Sequence, residues 1–278
     1  MQWARAKTIM IWLFLAVDLI LVSVLTVNKI SGGKDDKKML IKVLENNNLS
    51  IREELLNIEK TKIFAHEFTG LALSNELASE FIKNPVKINN NTFESEDKTA
   101  RIYSDSGYLT YENLNPDFKG FSGITEKNAD SKIAPYLKKL EVEKYVKLTN
   151  VFSVDEDIYA EYSYFFDGIE LFSSKLTFVV NKTGIKKIYG NINIPNKEQG
   201  YDFTLSNIET ILLNFIQNNR FSSPETIVSI TEGYYCINYE NLLLTQAIPV
   251  YRIKTTSKVY IYDARDGIDA AKRQLWSK

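Results

Sequence analysis

The chain has 278 residues, 34 Lys and Arg against 35 Asp and Glu, a net charge of −1, and is 44% hydrophobic and 25% charged. That composition belongs to a folded chain with a core and excludes the disordered and collagen-like classes. Near-neutral charge removes the electrostatic basis for a nucleic-acid partner. The single cysteine, Cys236, excludes an intramolecular disulfide. A domain of this size needs none, so cysteine usage does not fix the compartment.

The first predicted element is a transmembrane helix over residues 9–27. Thirteen Leu, Ile, Val and Phe residues fill it, and its length matches the ~20 residues that cross a hydrocarbon core. Trp3 and Trp12 stand near the leading interface, where indoles settle. The apolar run outlasts the roughly 7–15 residues of a signal peptide. It ends in Val27-Asn28-Lys29-Ile30 with no small-residue cleavage site, so a retained anchor is expected. Arg5 and Lys7 precede the span, while Lys29, Lys34, Lys37 and Lys38 follow it. A literal count therefore slightly favours a cytoplasmic domain. Large domains translocate largely regardless of charge, and a short tail with two cations suits the cytoplasmic end. The expected arrangement is residues 1–8 inside, a juxtamembrane linker over 28–38, and the remainder outside.

Asp18 sits near the centre of the span. A central Asp costs about 2.5–3.5 kcal/mol, which the surrounding apolar residues offset. Two readings stand: a tolerated residue, protonated in lipid, or a hydrogen-bonding contact with another membrane helix. Ala16 and Ser23 are small enough for close packing, but lie roughly 150° around the helix from Asp18 at 3.6 residues per turn. They suit a second helix.

Leu40, Val43 and Leu44 continue with a brief helical stripe, and Ser50 to Glu53 has capping-box spacing. Residues 62–68 read as a strand, and 74–83 as a helix stopping before Pro85. Ser104 to Gly107 reads as a hairpin turn. Ile133, Leu137 and Leu140 then recur at helical spacing. Strand-like segments follow at 145–154, 158–166, 169–180 and 185–194, broken at Asp155-Glu156-Asp157, Asp167-Gly168 and Asn181 to Gly184. Ser206 to Glu209 repeats the capping-box spacing ahead of an apolar face of Ile208, Ile211, Leu212, Phe215 and Ile216. Strands follow at about 226–235, 247–254 and 258–262.

The expected class is therefore α+β, with antiparallel sheets and helices packed on one face. Residues 39–125 form an N-terminal α+β subdomain. Residues 126–278 hold a helix-plus-strands unit that occurs twice.

Catalytic signatures are sparse. One histidine, His66, cannot build a multi-histidine metal site, and it reads as structural. Cys236 follows Tyr234-Tyr235 in an apolar strand and reads as a small core residue. Gly120-Phe121-Ser122-Gly123 is one residue short of a nucleophile elbow. Asp155-Glu156-Asp157 lacks the spacing and glycine of a calcium loop, and reads as a solvated turn. No catalytic, cofactor-binding or metal residue is assigned, although a carboxylate pair assembled only by folding stays compatible with glycoside chemistry. Tyr234, Tyr235 and Tyr239 form a candidate partner surface, since exposed aromatics mark interfaces; core packing is the rival explanation.

Two stretches resemble the YycI family. Met1 to Ile9, with Phe14-Leu15-Ala16-Val17-Asp18, is similar to the start of those proteins. Glu232-Gly233-Tyr234-Tyr235, Ala247 to Ile253 and Tyr260 to Gly267 resemble the YycH/YycI regulatory domain. Tyr251 stands where that family carries Trp, and Asp263 near an expected Asn. The resemblance implies a single-pass membrane protein with an extracytoplasmic α+β domain. It implies partnership with a YycH-like protein and a YycG/WalK-type sensor histidine kinase of cell-wall homeostasis. It further implies that contact runs largely through membrane helices, which favours Asp18 as a contact, and it supports the outward domain. The alternative expectation is a sensory domain that binds a solute or wall fragment; it predicts a deep pocket with convergent polar groups.

Overall fold

The computed structural model describes residues 36–58, 66–69, 72–105, 107–195, 205–237 and 244–270. The expected membrane helix over 9–27, with Ala16, Asp18 and Ser23, lies outside the described residues, as does Tyr239. Among the described residues no helix is long and apolar enough to cross a membrane.

Residues 36–46 are helical (α1). Next come β1 (Leu49–Ile51), a 3-10 helix (Glu53–Leu56), β2 (His66–Thr69), α2 (Asn75–Ser79), β3 (Pro85–Asn89), β4 (Thr92–Ser95), β5 (Ala100–Asp105) and β6 (Tyr108–Asn113). There follow α3 (Ala129–Lys139), β7 (Val146–Val154), β8 (Asp157–Phe166), β9 (Ile169–Asn181), β10 (Gly184–Asn191) and β11 (Ile194–Pro195). The chain continues through α4 (Ile208–Asn218), β12 (Glu225–Ile237), β13 (Leu244–Thr255) and β14 (Val259–Asp263). This is a mixed, sheet-dominated α+β fold with few helices. The described residues group into two compact units, one within 36–58, 207–229 and 254–258, the other within 66–206, 230–253 and 259–270.

In the first unit, α1 buries Leu40 and Leu44, and α4 buries Ile208, Ile211, Leu212 and Phe215. That is the apolar face the 3.6-residue spacing marks. β1 runs parallel to the start of β12, with Leu49 opposite Glu225 and Ile51 opposite Ile227. Ser50 therefore belongs to a strand and caps no helix. Its hydroxyl lies 2.8 Å from that of Thr226, and the helical turn starts after the strand, as the 3-10 helix Glu53–Leu56 with no side-chain cap. The capping residue of α4 is also one position later than expected. Asn207 Oδ1 accepts from the Thr210 N–H at 3.0 Å.

In the second unit the strands run in the order β11-β2-β13-β12-β9-β10-β6-β5-β4-β3, with β7 beside β8, β8 beside β9, and β14 beside β13. Most neighbours are antiparallel, but β12 meets β9 in parallel at Tyr234 and Leu171. With the parallel β1–β12 pair, this corrects the expected purely antiparallel arrangement. Strands that return after long connections, rather than through hairpins, are free to pair in parallel.

The expected hairpins form. Asp167 and Gly168 take positive φ of 51° and 83° between β8 and β9, the backbone of a tight primed turn. Asn181 Oδ1 accepts from the N–H of Thr183 at 2.9 Å and of Gly184 at 3.2 Å, an Asx turn that closes β9 onto β10. The helix expected over 74–83 is only Asn75–Ser79; Ser74 caps it, and Phe81 and Ile82 turn into the core.

Along β4, β5, β6, β10, β9 and β8, alternate residues face opposite sides. Phe93, Ile102, Tyr111, Ile188, Phe178 and Ala160 are buried. α3 lies on this buried side, burying Ile133 and Leu137, with the Tyr162 hydroxyl donating to Asp130 at 3.0 Å. Phe81, Phe118, Phe121 and Tyr136 pack together with ring centroids 5.6–6.3 Å apart along their chain of contacts, within the range where edge-to-face geometry adds to burial.

Candidate functional site

The segments that resemble the YycH/YycI domain fall in β12, β13, β14 and the turn after it, which are neighbours in the sheet. Tyr234 is only 1% exposed. Its side chain belongs to the core, so it presents no surface to a partner. Tyr235, on the alternate face, is half-buried against a cluster of Ile248, Val250 and Ala270, beside Phe172 and Ile261. Burial pushes the Tyr235 phenol above its ordinary pKa, helped by Cys236 and Asp269 nearby. Of the expected tyrosine surface, only the outer edge of Tyr235 is therefore on view among the described residues.

On that same face, sequence reasoning missed Arg252. Its guanidinium lies 3.9 Å from the centre of the Phe172 ring. It pairs with Glu170 at 3.3 Å and donates from Nε to the Thr231 hydroxyl at 3.2 Å. A planar guanidinium stacks on an aromatic face in this way, where a lysine could not. Gly233 makes room for the arrangement. A Cβ there would stand 2.2 Å from Phe172 Cζ and 2.8 Å from the Glu170 carbonyl oxygen. The signal available in sequence was the alternation of β12, which sets Gly233 between Thr231 and Tyr235 on one face, opposite the side of Tyr234.

The turn after β14 is held by a second arginine. Asp263 is fully buried, and its carboxylate accepts from the Arg265 backbone N–H at 2.9 Å and from Arg265 Nη2 at 2.6 Å. The Gly267 N–H donates to the Asp263 carbonyl at 2.8 Å. Ser206 Oγ donates to the Arg265 carbonyl at 2.7 Å. The Asp263 to Gly267 segment of the resemblance is thus a turn whose charges satisfy one another.

Cys236 is buried in β12, and its N–H donates to Ser173 Oγ at 2.8 Å. Burial pushes its thiol up to about 11, so it carries almost no thiolate at neutral pH and fits the core role. His66 opens β2. Gly120 and Gly123 adopt positive φ in the loop before α3, where the Lys132 ammonium donates to the Gly120 and Ser122 carbonyls; this loop is a structural bracket. Asp157 pairs with Lys186 at 2.6 Å and Glu156 with Lys182 at 3.6 Å, as a solvated turn would. Among the described residues no group of three His, Cys, Asp or Glu could hold a metal ion.

No family model matches the chain, and no curated protein does. An uncharacterised protein from Eubacterium rectale is similar in structure, at 10% identity and a TM-score of 0.48, covering 80% of this chain and 90% of that one. The Bacillus megaterium YpeB C-terminal domain is similar at 9% identity and a TM-score of 0.37, covering 82% and 94%. The YpeB domain is a structural neighbour of this chain at long distance.

Proposed function

We propose that this chain is a membrane-anchored, non-enzymatic accessory regulator of a cell-envelope sensor histidine kinase of the YycG/WalK type. It acts with a YycH-like partner, partly through contacts between membrane helices. The observation that carries the reading is spatial. Three segments separated in sequence, 232–235, 247–253 and 260–267, resemble one regulatory domain, and they occupy adjacent strands β12, β13 and β14. The Arg252–Phe172 stack and the Asp263–Arg265 turn give these segments a packing role. The output is then left to association.

In this reading residues 9–27 anchor the chain with the tail inside and the domain outside, and Asp18 hydrogen-bonds a helix of the kinase or of the YycH-like protein. A partner shifts the kinase between signalling states only through unequal affinity for them. The test is co-purification of the full chain with the kinase from detergent-solubilised membranes. Interhelical hydrogen bonds contribute about 1–2 kcal/mol in peptides, so Asp18→Leu should weaken retention roughly fivefold or more. Equal retention of wild type and Asp18→Leu removes the Asp18 contact from the proposal. Failure of the wild type to retain the kinase removes the proposal itself.

A further inference from the structure

On the buried side of the β3–β8 sheet α2 packs by β3 and α3 by β8, while among the described residues the opposite side exposes Val86, Arg101 and Glu112. Registers place one row straight across it. Val86 pairs with Glu94, Glu94 with Arg101, Arg101 with Glu112, and Glu112 with Lys187. Beyond Lys187 the row ends at Val179, which is buried. The next row is Thr92, Tyr103, Thr110, Tyr189 and Thr177. Arg101, Glu112 and Val86 are exposed, Tyr103 is 37% exposed, and Thr92 and Thr110 are sunk between their larger neighbours.

We infer that this face binds a second copy of the chain about a two-fold axis running along the strands between β5 and β6. One axis satisfies both rows. The charges across β4, β5, β6 and β10 read minus, plus, minus, plus. Rotation therefore sets Arg101 against Glu112 of the other copy and Glu94 against its Lys187. In the next row it sets Tyr103 against Thr110 and Tyr189 against Thr92, so that large side chains meet small ones as in interdigitating layers.

A face that complements itself under a two-fold rotation is the requirement of an isologous dimer. Sheets packed face to face tolerate mean strand angles of about 30°, which absorbs the twist. The paired rows span four strands, β4, β5, β6 and β10, about 19 Å at ~4.8 Å spacing. Tyr and Arg outnumber aliphatic residues here, a composition of reversible rather than permanent interfaces. The in-plane Lys187–Glu112 pair, at 2.6 Å, neutralises charge before the faces meet and lowers the cost of bringing them together.

The test is analytical ultracentrifugation of the full chain in detergent, with concentration varied across the micromolar range. Wild type should sediment as a dimer. Arg101→Glu or Glu112→Arg alone opposes like charges twice across the axis and should weaken dimerisation at least tenfold. The double swap Arg101→Glu/Glu112→Arg restores opposite charges across the axis and should restore the dimer. Far-UV circular dichroism of each variant checks that the sheet persists. A monomeric wild type overturns the inference. So does a dimer indifferent to the single swaps, which would place association elsewhere in the chain, such as its apolar N-terminal segment. So does a monomer whose single swaps weaken kinase retention, which would give this face to another protein. The kinase reading stands or falls separately, on retention of the kinase.

Discussion

Gly190 lies in β10 with φ at +141°, and a Cβ there would stand 2.0 Å from the Lys175 carbonyl oxygen. Backbone meets backbone at that contact, so no side-chain rotation relieves it. Gly190→Ala should cost at least about 2 kcal/mol, because strain and overlap add; the midpoint of urea unfolding in mild detergent measures it. Cys236 makes a different prediction. Its folded thiol is raised from 9.0 to about 11 by burial, so the folded chain holds that proton more tightly than the unfolded chain does. The associated stability is complete below about pH 9 and is lost as pH rises towards 11. Tyr111, Tyr162 and Tyr164 are also raised by burial and act in the same direction at higher pH. Melting temperatures at pH 8 and 11 should fall for wild type and fall less for Cys236→Ala; an equal fall would place the thiol outside the core.

Helix α4 shows what an element owes to its cap. Asn207 accepts from the N–H and the hydroxyl of Thr210, whereas Ser206 turns to the Arg265 carbonyl. Asn207→Ala should therefore lose about 1 kcal/mol of stability, read from the same urea unfolding. The apolar face of α4 was legible in sequence because helical spacing repeats over three turns. Which of two adjacent capping types sits at the boundary was not legible, since both Ser206 and Asn207 satisfy the local rule and the Arg265 carbonyl decides between them. Ser50 failed for the same kind of reason. Its spacing does mark a helical turn, and the 3-10 helix Glu53–Leu56 forms, but pairing of β1 with β12 makes Ser50 a strand residue and leaves that turn without a side-chain cap.

At the scale of the whole molecule, hairpins between neighbours were readable from turn residues such as Asp167-Gly168 and Asn181 to Gly184. The parallel pairings of β12 with β1 and β9 were not, because each joins segments tens of residues apart and leaves no local mark. The tyrosines show the same limit. Tyr234 and Tyr235 are alike in sequence, yet the strand's two-residue period buries one in the core and lays the other beside Phe172. Arg252, Phe172 and Glu170 come together from β9 and β13 only through β12 between them.

The residues alone determined the α+β class, the turns, the apolar face of α4, the core role of Cys236, and an apolar 9–27 segment with Asp18 at its centre. These depend on composition and on short spacings, which folding does not alter. Tertiary structure decided which strands run parallel, which tyrosine is hidden, and how Asp263 and Arg265 lock their turn. It also decided that Glu94, Arg101, Glu112 and Lys187 stand in one row. Those outcomes depend on strand register, and register is set by distant pairings that no local segment encodes.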